Sequence, residues 1–362
     1  MARLVSSVTE EPRGALASDL GPTVRFLPST AVELLLSVMP IADPDGRNRM
    51  TDGEAWAARA ASLPARERKT LVALGKEPLI NLMGLATEGR GAHDAGQLLE
   101  RMHRLSSVEL VLHMVGGYRR TVRRLTPPDV IRAAVEGDRA ARREFRETSM
   151  PDVDFWQATL GFVLSRPADE IATRALTAFD AWYAQAVQPE EPMLARAQAD
   201  QLARLSAEQS SWTLEAAMGR VTLGMEYQPP AGVDDVIFVP VSTIRPLIAF
   251  LDHRNAAVVA FPITEPGAAG DPPANLVLLG KALGDELRLR ALRALAAGPS
   301  TLQDLAAELG VPRTTLGHHI GMLRAAGLVT MTVDDGRWGR LKLRIGVADE
   351  LPRMLRDYTT GR

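Results

Sequence analysis

Thirty residues near the C-terminus, STLQDLAAELGVPRTTLGHHIGMLRAAGLV (300–329), leave this chain the fewest ways to fold. Ser300 or Thr301 stands where a helix cap belongs, and Gly310 stands where a helix must end, because glycine accepts the positive φ of a helix C-terminus. Three residues later a second helix begins at Pro312 or Arg313. A helix, a short glycine turn and a second helix are the sequence form of a helix-turn-helix. The flanks agree with it. Before it, LVLLGKALGDELRLRALRALAAG (276–298) reads as one amphipathic helix with an interruption at Gly284-Asp285-Glu286, ending at Gly298 before Pro299. After it, LVTMTVDDGRWGRLKLRIG alternates apolar and polar on both sides of Asp334-Asp335-Gly336, which predicts a β-hairpin. A last helix, ADELPRMLRDYT, follows.

On a helical wheel of Arg313 to Ala326, Leu316, Ile320 and Leu323 fall on one face and Thr314, Gly317, His318 and Gly321 on the other. Two glycines inside a helix cost roughly 1 kcal/mol each relative to alanine, so their position needs a reason. Close approach of the helix to another surface is one; a tight neighbouring helix is the alternative. Arg313 can present its fork to guanine O6 and N7, and Thr314 and Thr315 can contact phosphates or base edges. His318 can do either, while His319, at the edge of the apolar face, reads as a hydrogen-bonded structural histidine. The pair has no cysteine, carboxylate or third histidine at ligand spacing, which disfavours a metal.

These residues carry a resemblance. The segment from about Leu276 to Tyr358 resembles the winged helix-turn-helix of the ArsR family of bacterial transcriptional regulators, through LGDELRLRALRAL, TLQDLAAELGVPRTTLGHHIGMLRAAGLV and TVDDGRWGRLKLRI. Two adjacent histidines, an aliphatic residue and a leucine three further on recur in that family's DNA-reading helix. Here they are His318, His319, Ile320 and Leu323. The resemblance implies that Arg313, Thr314, Thr315, Gly317 and His318 face DNA. It makes the hairpin a wing, with Arg337 and Arg340 reaching phosphates or the adjacent minor groove; a solvated hairpin tip is the alternative. The family's metal sensors place cysteines in the helix that here reads DLAAELG, or Asp and His ligands along the final helix, which here has no histidine. Neither site is present, so no metal or cofactor is expected. Members are usually homodimers joined through the first and last helices of the domain. Leu276, Leu279, Leu283, Leu351, Met354 and Leu355 would supply that surface, unless they pack only within their own chain. A two-fold dimer implies an inverted-repeat operator in double-stranded DNA.

The clearest boundary is TEPGAAGDPPAN (264–275), a linker in which no periodic apolar pattern survives. It separates a domain over 1–263 from the winged helix over 276–362. Charge divides there too: from Asn275 onward there are 13 Lys/Arg against 9 Asp/Glu, whereas the whole chain carries a net −2. Before the linker the texture is mostly helical, from STAVELLLSVM to EPMLARAQADQLARLSAEQ, with TVRFL, DDVIFVPVS and AAVVAFPI as short strands of one small sheet. The expected fold is mainly α with small β elements: a helical N-terminal domain with a small sheet, then the winged helix-turn-helix.

Cysteine is absent, which removes disulfides, thiolate metal sites and cysteine nucleophiles and is compatible with a reducing compartment. No run reaches transmembrane length and MARLVSSVTEEPRGALASDLGP lacks a leader's apolar core, so no membrane partner is expected and the chain reads as cytoplasmic. No GxSxG, Walker or dinucleotide fingerprint appears, and no enzyme is expected. His93, His103 and His113 recur every ten residues but fall on two helices and a loop, a poor metal triad. Trp56, Phe155, Trp156, Phe162, Phe179, Trp182, Tyr183 and Trp212 read as core before they read as a pocket. YRRTVRR and RAARREFR read as solvated helix faces before they read as DNA contacts. The N-terminal part resembles, more loosely, the region preceding the winged helix in long actinobacterial members of the family, through TVRFLPSTAVELLLSVMPIADP and VIFVPVSTIRPLIAF. The expectation is a metal-independent transcriptional repressor whose N-terminal domain senses a small molecule or a protein. The competing reading is an N-terminal enzyme or assembly domain that uses the winged helix as a docking or tethering module.

Overall fold

The computed structural model describes residues 21–88, 93–151, 153–208, 211–222, 225–264, 274–334, 337–344 and 346–360. The fold is mainly α with small β elements. The described residues hold seven strands: β1 (Thr23–Phe26), β2 (Glu226–Gln228), β3 (Asp235–Val241), β4 (Ala249–His253), β5 (Ala256–Pro262), β6 (Val329–Asp334) and β7 (Arg337–Leu343). Among the described residues no helix is long and apolar enough to cross a membrane. Most of the linker 264–275 lies outside the described residues.

The first sheet runs β1-β3-β5-β4, with β1, β3 and β5 parallel and β4 antiparallel to β5. Its central strands are almost continuously apolar because both faces are covered. Ile237, Val239, Val241, Val258 and Ala260 face a large helical core that includes Leu34, Leu79, Leu110, Trp156 and Trp182. The alternate residues Val236, Phe238, Val259 and Phe261 face a second cluster with Leu205, Met218, Val221 and Tyr227. Of the aromatic residues, Trp56, Trp156, Phe179 and Trp182 are core, Trp212 packs on the sheet beside Phe26, and Phe155 is exposed.

Several buried charged groups inside this domain are paired, although others, such as His113 Nδ1, have no hydrogen-bond partner. Glu33, fully buried at the end of the sheet, accepts hydrogen bonds from the Ser242 amide and from the Thr243 amide and hydroxyl, while burial pushes its carboxyl pKa up. Arg119 lies between Glu77 (3.0 Å) and Asp252 (3.2 Å), and Asp252 also accepts from the amide and hydroxyl of Thr121. The neighbouring Arg120 donates to the carbonyls of Ala231 and Gly232. YRRTVRR is therefore only in part a solvated face: Arg119 and Arg120 are structural, while Arg123 and Arg124 are exposed. RAARREFR is amphipathic, with Ala141 and Phe145 buried. His103 pairs with Asp180, and His113 is buried between Tyr118 and His253, where desolvation, with His253 beside it, pulls its pKa down to about 4. Among the described residues no three potential ligands gather as a metal site.

The C-terminal part holds helices Ala274–Leu283, Glu286–Ala296, Leu302–Leu309 and Arg313–Ala325, the β6/β7 hairpin and helix Gly346–Thr360. The stretch expected as one interrupted helix is two. Asp285 takes an extended conformation and its side chain accepts from the Arg288 amide at 2.9 Å, so it caps a new helix instead of continuing the old one. Leu279, Ala291, Leu295, Leu305, Leu316, Ile320, Leu323, Val329 and Leu341 form its core. Ser300 and Leu341 exchange backbone hydrogen bonds, which tie the turn before the helix pair to the hairpin. The second sheet contains a strand from outside this part: its order is β2-β6-β7, with β2 parallel to β6.

Candidate nucleic-acid interface

The helix pair is built as its sequence requires. Thr301 caps Leu302–Leu309 by accepting from the Asp304 amide, and its hydroxyl donates to the Asp304 carboxylate. Gly310 has φ +69°, the left-handed stop. Pro312 precedes the second helix, which starts at Arg313. Leu316, Ile320 and Leu323 are buried, which turns the opposite face outward. Arg313, Thr314, Thr315 and His318 are exposed on the N-terminal half of this helix, and Gly317 is half-buried between them and the body of the domain.

A Cβ built on Gly317 would meet only Leu302 Cδ2, at 3.8 Å, and one on Gly321 would meet only the Arg49 side chain, at 3.8 Å. Both are ordinary van der Waals distances, so no helix of this chain presses on either glycine. A tight neighbouring helix of the chain therefore does not account for the two glycines. His319 turns the other way: Nδ1 lies 3.2 Å from the carboxylate of Asp285, the cap of helix Glu286–Ala296. The two groups stand close across two helices of the domain, but Nδ1 makes no hydrogen bond, so the expected hydrogen-bonded histidine is not what the structure holds.

In the hairpin Arg340 is exposed, and its amide donates to Thr332 Oγ1 at 2.9 Å. The backbone of Arg337 pairs opposite Asp334 at the start of β7; the tip, Asp335-Gly336, lies outside the described residues. Lys342, not singled out from the sequence, projects from β7 and forms an ion pair with Glu226 at 3.0 Å. Arg324 was also missed. It follows Gly321 by three positions on the same face, and desolvation lowers its guanidinium to about 10, which leaves it charged at neutral pH.

The five leucines and one methionine assigned to a dimer surface do not share one environment. Leu279 is 2% exposed in the core of its own domain, which removes it from any outer surface. Leu283, Leu351 and Met354 pack partly against the same core, because the first and last helices of the domain lie against each other within one chain. Leu276 is half-buried, and Leu355 is 51% exposed, with Val277 and Tyr358 also open on those two helices.

Residues 283–332 match a family model described as a "Helix-turn-helix domain". Over 68 residues, 19% of this chain, the sequence is 43% identical to "HTH-type transcriptional regulator CmtR" of Mycobacterium tuberculosis and to the Mycobacterium bovis protein of that name. The matched segment spans 57% of the length of those relatives. No solved structure matches the chain. Residues 283–332 thus form a helix-turn-helix domain.

Proposed function

We propose that the protein is a sequence-specific DNA-binding transcriptional regulator of the ArsR type, acting as a metal-independent repressor. One observation carries this reading: a helix with an exposed Arg-Thr-Thr start, an exposed histidine one turn on, and two glycines that no neighbouring helix of the chain requires. All three suit a major groove, since base edges are reached by side chains at a helix N-terminus and small residues let the backbone come near. Arg313 reads guanine, Thr314 and Thr315 contact base edges or phosphates, and His318 extends the contact by one turn. Arg337 and Arg340 serve the wing. The positive balance of the C-terminal part, against a net negative chain, concentrates attraction for phosphates where these groups lie. Two copies pair through the exposed Val277, Leu355 and Tyr358 and read an inverted repeat with half-sites about one helical turn apart. The domain over 1–263 has a sensing role, for a small molecule or a protein, and no catalytic one.

The test is fluorescence anisotropy of the full chain with DNA from upstream of its own gene against scrambled DNA of equal length, at two salt concentrations. Preference for the upstream duplex, with affinity falling as salt rises, is the expected result. Equal binding to both duplexes would remove sequence reading from the account.

Gly317→Ala separates interface from packing. With room for the methyl group at 3.8 Å from Leu302, the substitution is expected to raise unfolding stability by up to about 1 kcal/mol, through helix propensity and a less flexible unfolded chain. The same methyl group is expected to weaken binding to the upstream duplex. Urea midpoints and anisotropy on one preparation decide: lower stability would mean the glycine serves packing, and unchanged binding would take it off the interface.

A further inference from the structure

Two contacts and one close approach join the winged helix to the N-terminal region of the same chain. Strand Glu226–Gln228 lies parallel along β6, pairing Glu226 with Thr332, Tyr227 with Val333 and Gln228 with Asp334. This is the end of β6 next to the hairpin turn, so the extra strand runs beside the wing tip. Glu226 then takes the ammonium of Lys342 at 3.0 Å, so a wing cation faces a carboxylate where phosphates would otherwise approach. On the reading helix, the Arg49 side chain stands where a Cβ of Gly321 would be within 4 Å. Arg49 comes from the segment between helices Pro44–Arg47 and Gly53–Arg59, which also folds on the N-terminal core through buried Met50.

Size decides what this means for a duplex. Neighbouring strands lie about 4.8 Å apart, so a two-stranded wing with a third strand on its edge is roughly 10 Å across between outer backbones. The minor groove of B-DNA is about 6 Å wide. A hairpin can lay its tip there; a hairpin with a strand along its tip cannot. The acidic side chain on that strand adds repulsion from phosphates, and a side chain against Gly321 fills the approach that the glycine leaves open.

We infer that this arrangement is the DNA-excluded form of the protein: strand Glu226–Gln228 on the wing and Arg49 on the reading helix hold the winged helix shut, and DNA binding requires their release. The inference rests on the DNA-reading proposal above. It gives the N-terminal region a concrete means of control, since anything that stabilises or frees β2 shifts the fraction of chains able to bind, and apparent affinity scales with that fraction.

Two full-length variants test it. Gln228→Pro removes an amide from the exposed end of β2 without changing charge. Arg49→Ala removes a cation, which on electrostatics alone would weaken DNA binding. Both are expected to bind the upstream duplex at least about tenfold more tightly than the wild type. In the wild type, hydrogen exchange of the peptide covering residues 226–228 is expected to be slow in the free protein and to quicken when the upstream duplex is added. Variants that bind as the wild type does or more weakly, with β2 still protected in the complex, would overturn the inference while leaving DNA reading intact. Weakening by Arg49→Ala alone would make Arg49 a DNA contact instead. If the wild type and both variants all fail to prefer upstream over scrambled DNA, the DNA reading itself falls, and this inference with it.

Discussion

Replacing Arg313 and His318 together by alanine is expected to lower affinity for the upstream duplex by about 100-fold or more and to abolish its advantage over scrambled DNA. A bidentate arginine–guanine contact contributes roughly 1–3 kcal/mol of discrimination, and a second base-edge contact one turn along the helix adds to it. Both side chains are exposed, and neither belongs to the apolar core that holds the helix. The unfolding free energy should therefore stay within about 0.5 kcal/mol of the wild type. Weak, salt-sensitive binding to any duplex should survive, carried by the remaining cations. Full preference for the upstream DNA in the double variant would move sequence reading away from this helix.

The C-terminal part was legible because its signals are local. A capping Thr301, a stop at Gly310 and a start at Pro312 act within a few residues, and each is found where its backbone chemistry places it. The strands DDVIFVPVS and AAVVAFPI were legible for another reason: a strand covered on both faces must be apolar throughout, and few helices of that length are. Strand Ala249–His253 escaped notice because its last two residues, Asp252 and His253, look like surface. They are buried, and only their partners explain it: Arg119 and Thr121 for the aspartate, Glu88 for the histidine, all more than a hundred residues away. Asp285 shows the opposite failure, where a local cap signal inside a long amphipathic pattern was read as a mere interruption.

The contacts that decide access to the reading helix were not legible at all. Three residues, Glu-Tyr-Gln, carry no strand signal of their own, and β2 exists because β6 offers an open edge. Arg49 sits in a short polar segment whose spacing says nothing about a helix 270 residues further on. Long-range pairing of this kind is set by which surfaces meet after the cores have formed. A sequence can show that Gly321 leaves room without showing what enters it.

Arg119→Ala is expected to be the most damaging single change to the N-terminal domain. Arg119 is buried with two carboxylates, Glu77 and Asp252, and their attraction outweighs desolvation, holding its guanidinium pKa above the usual arginine value. Asp252 would keep its two hydrogen bonds from Thr121, but Glu77 would be left as a buried carboxylate facing an empty space. Breaking a buried pair from one side costs roughly 3–5 kcal/mol, most of it the stranded charge. In a domain of this size that lowers the midpoint by on the order of 10 °C. The stranded-charge account makes a further demand: Arg119→Ala with Glu77→Ala should be less destabilised than the sum of the two single variants, by about 1 kcal/mol or more. Additive losses would mean that packing by the arginine stem, not charge, is what matters. The position also bears on control of the wing. Arg119 fixes the start of the helix Arg120–Leu125, and Arg120 holds the carbonyls of Ala231 and Gly232 a few residues after β2. If that anchor sets where β2 lies, loosening it should quicken hydrogen exchange at residues 226–228 well below the melting transition. Exchange there that stays at the wild-type rate would mean that β2 is held by the wing alone.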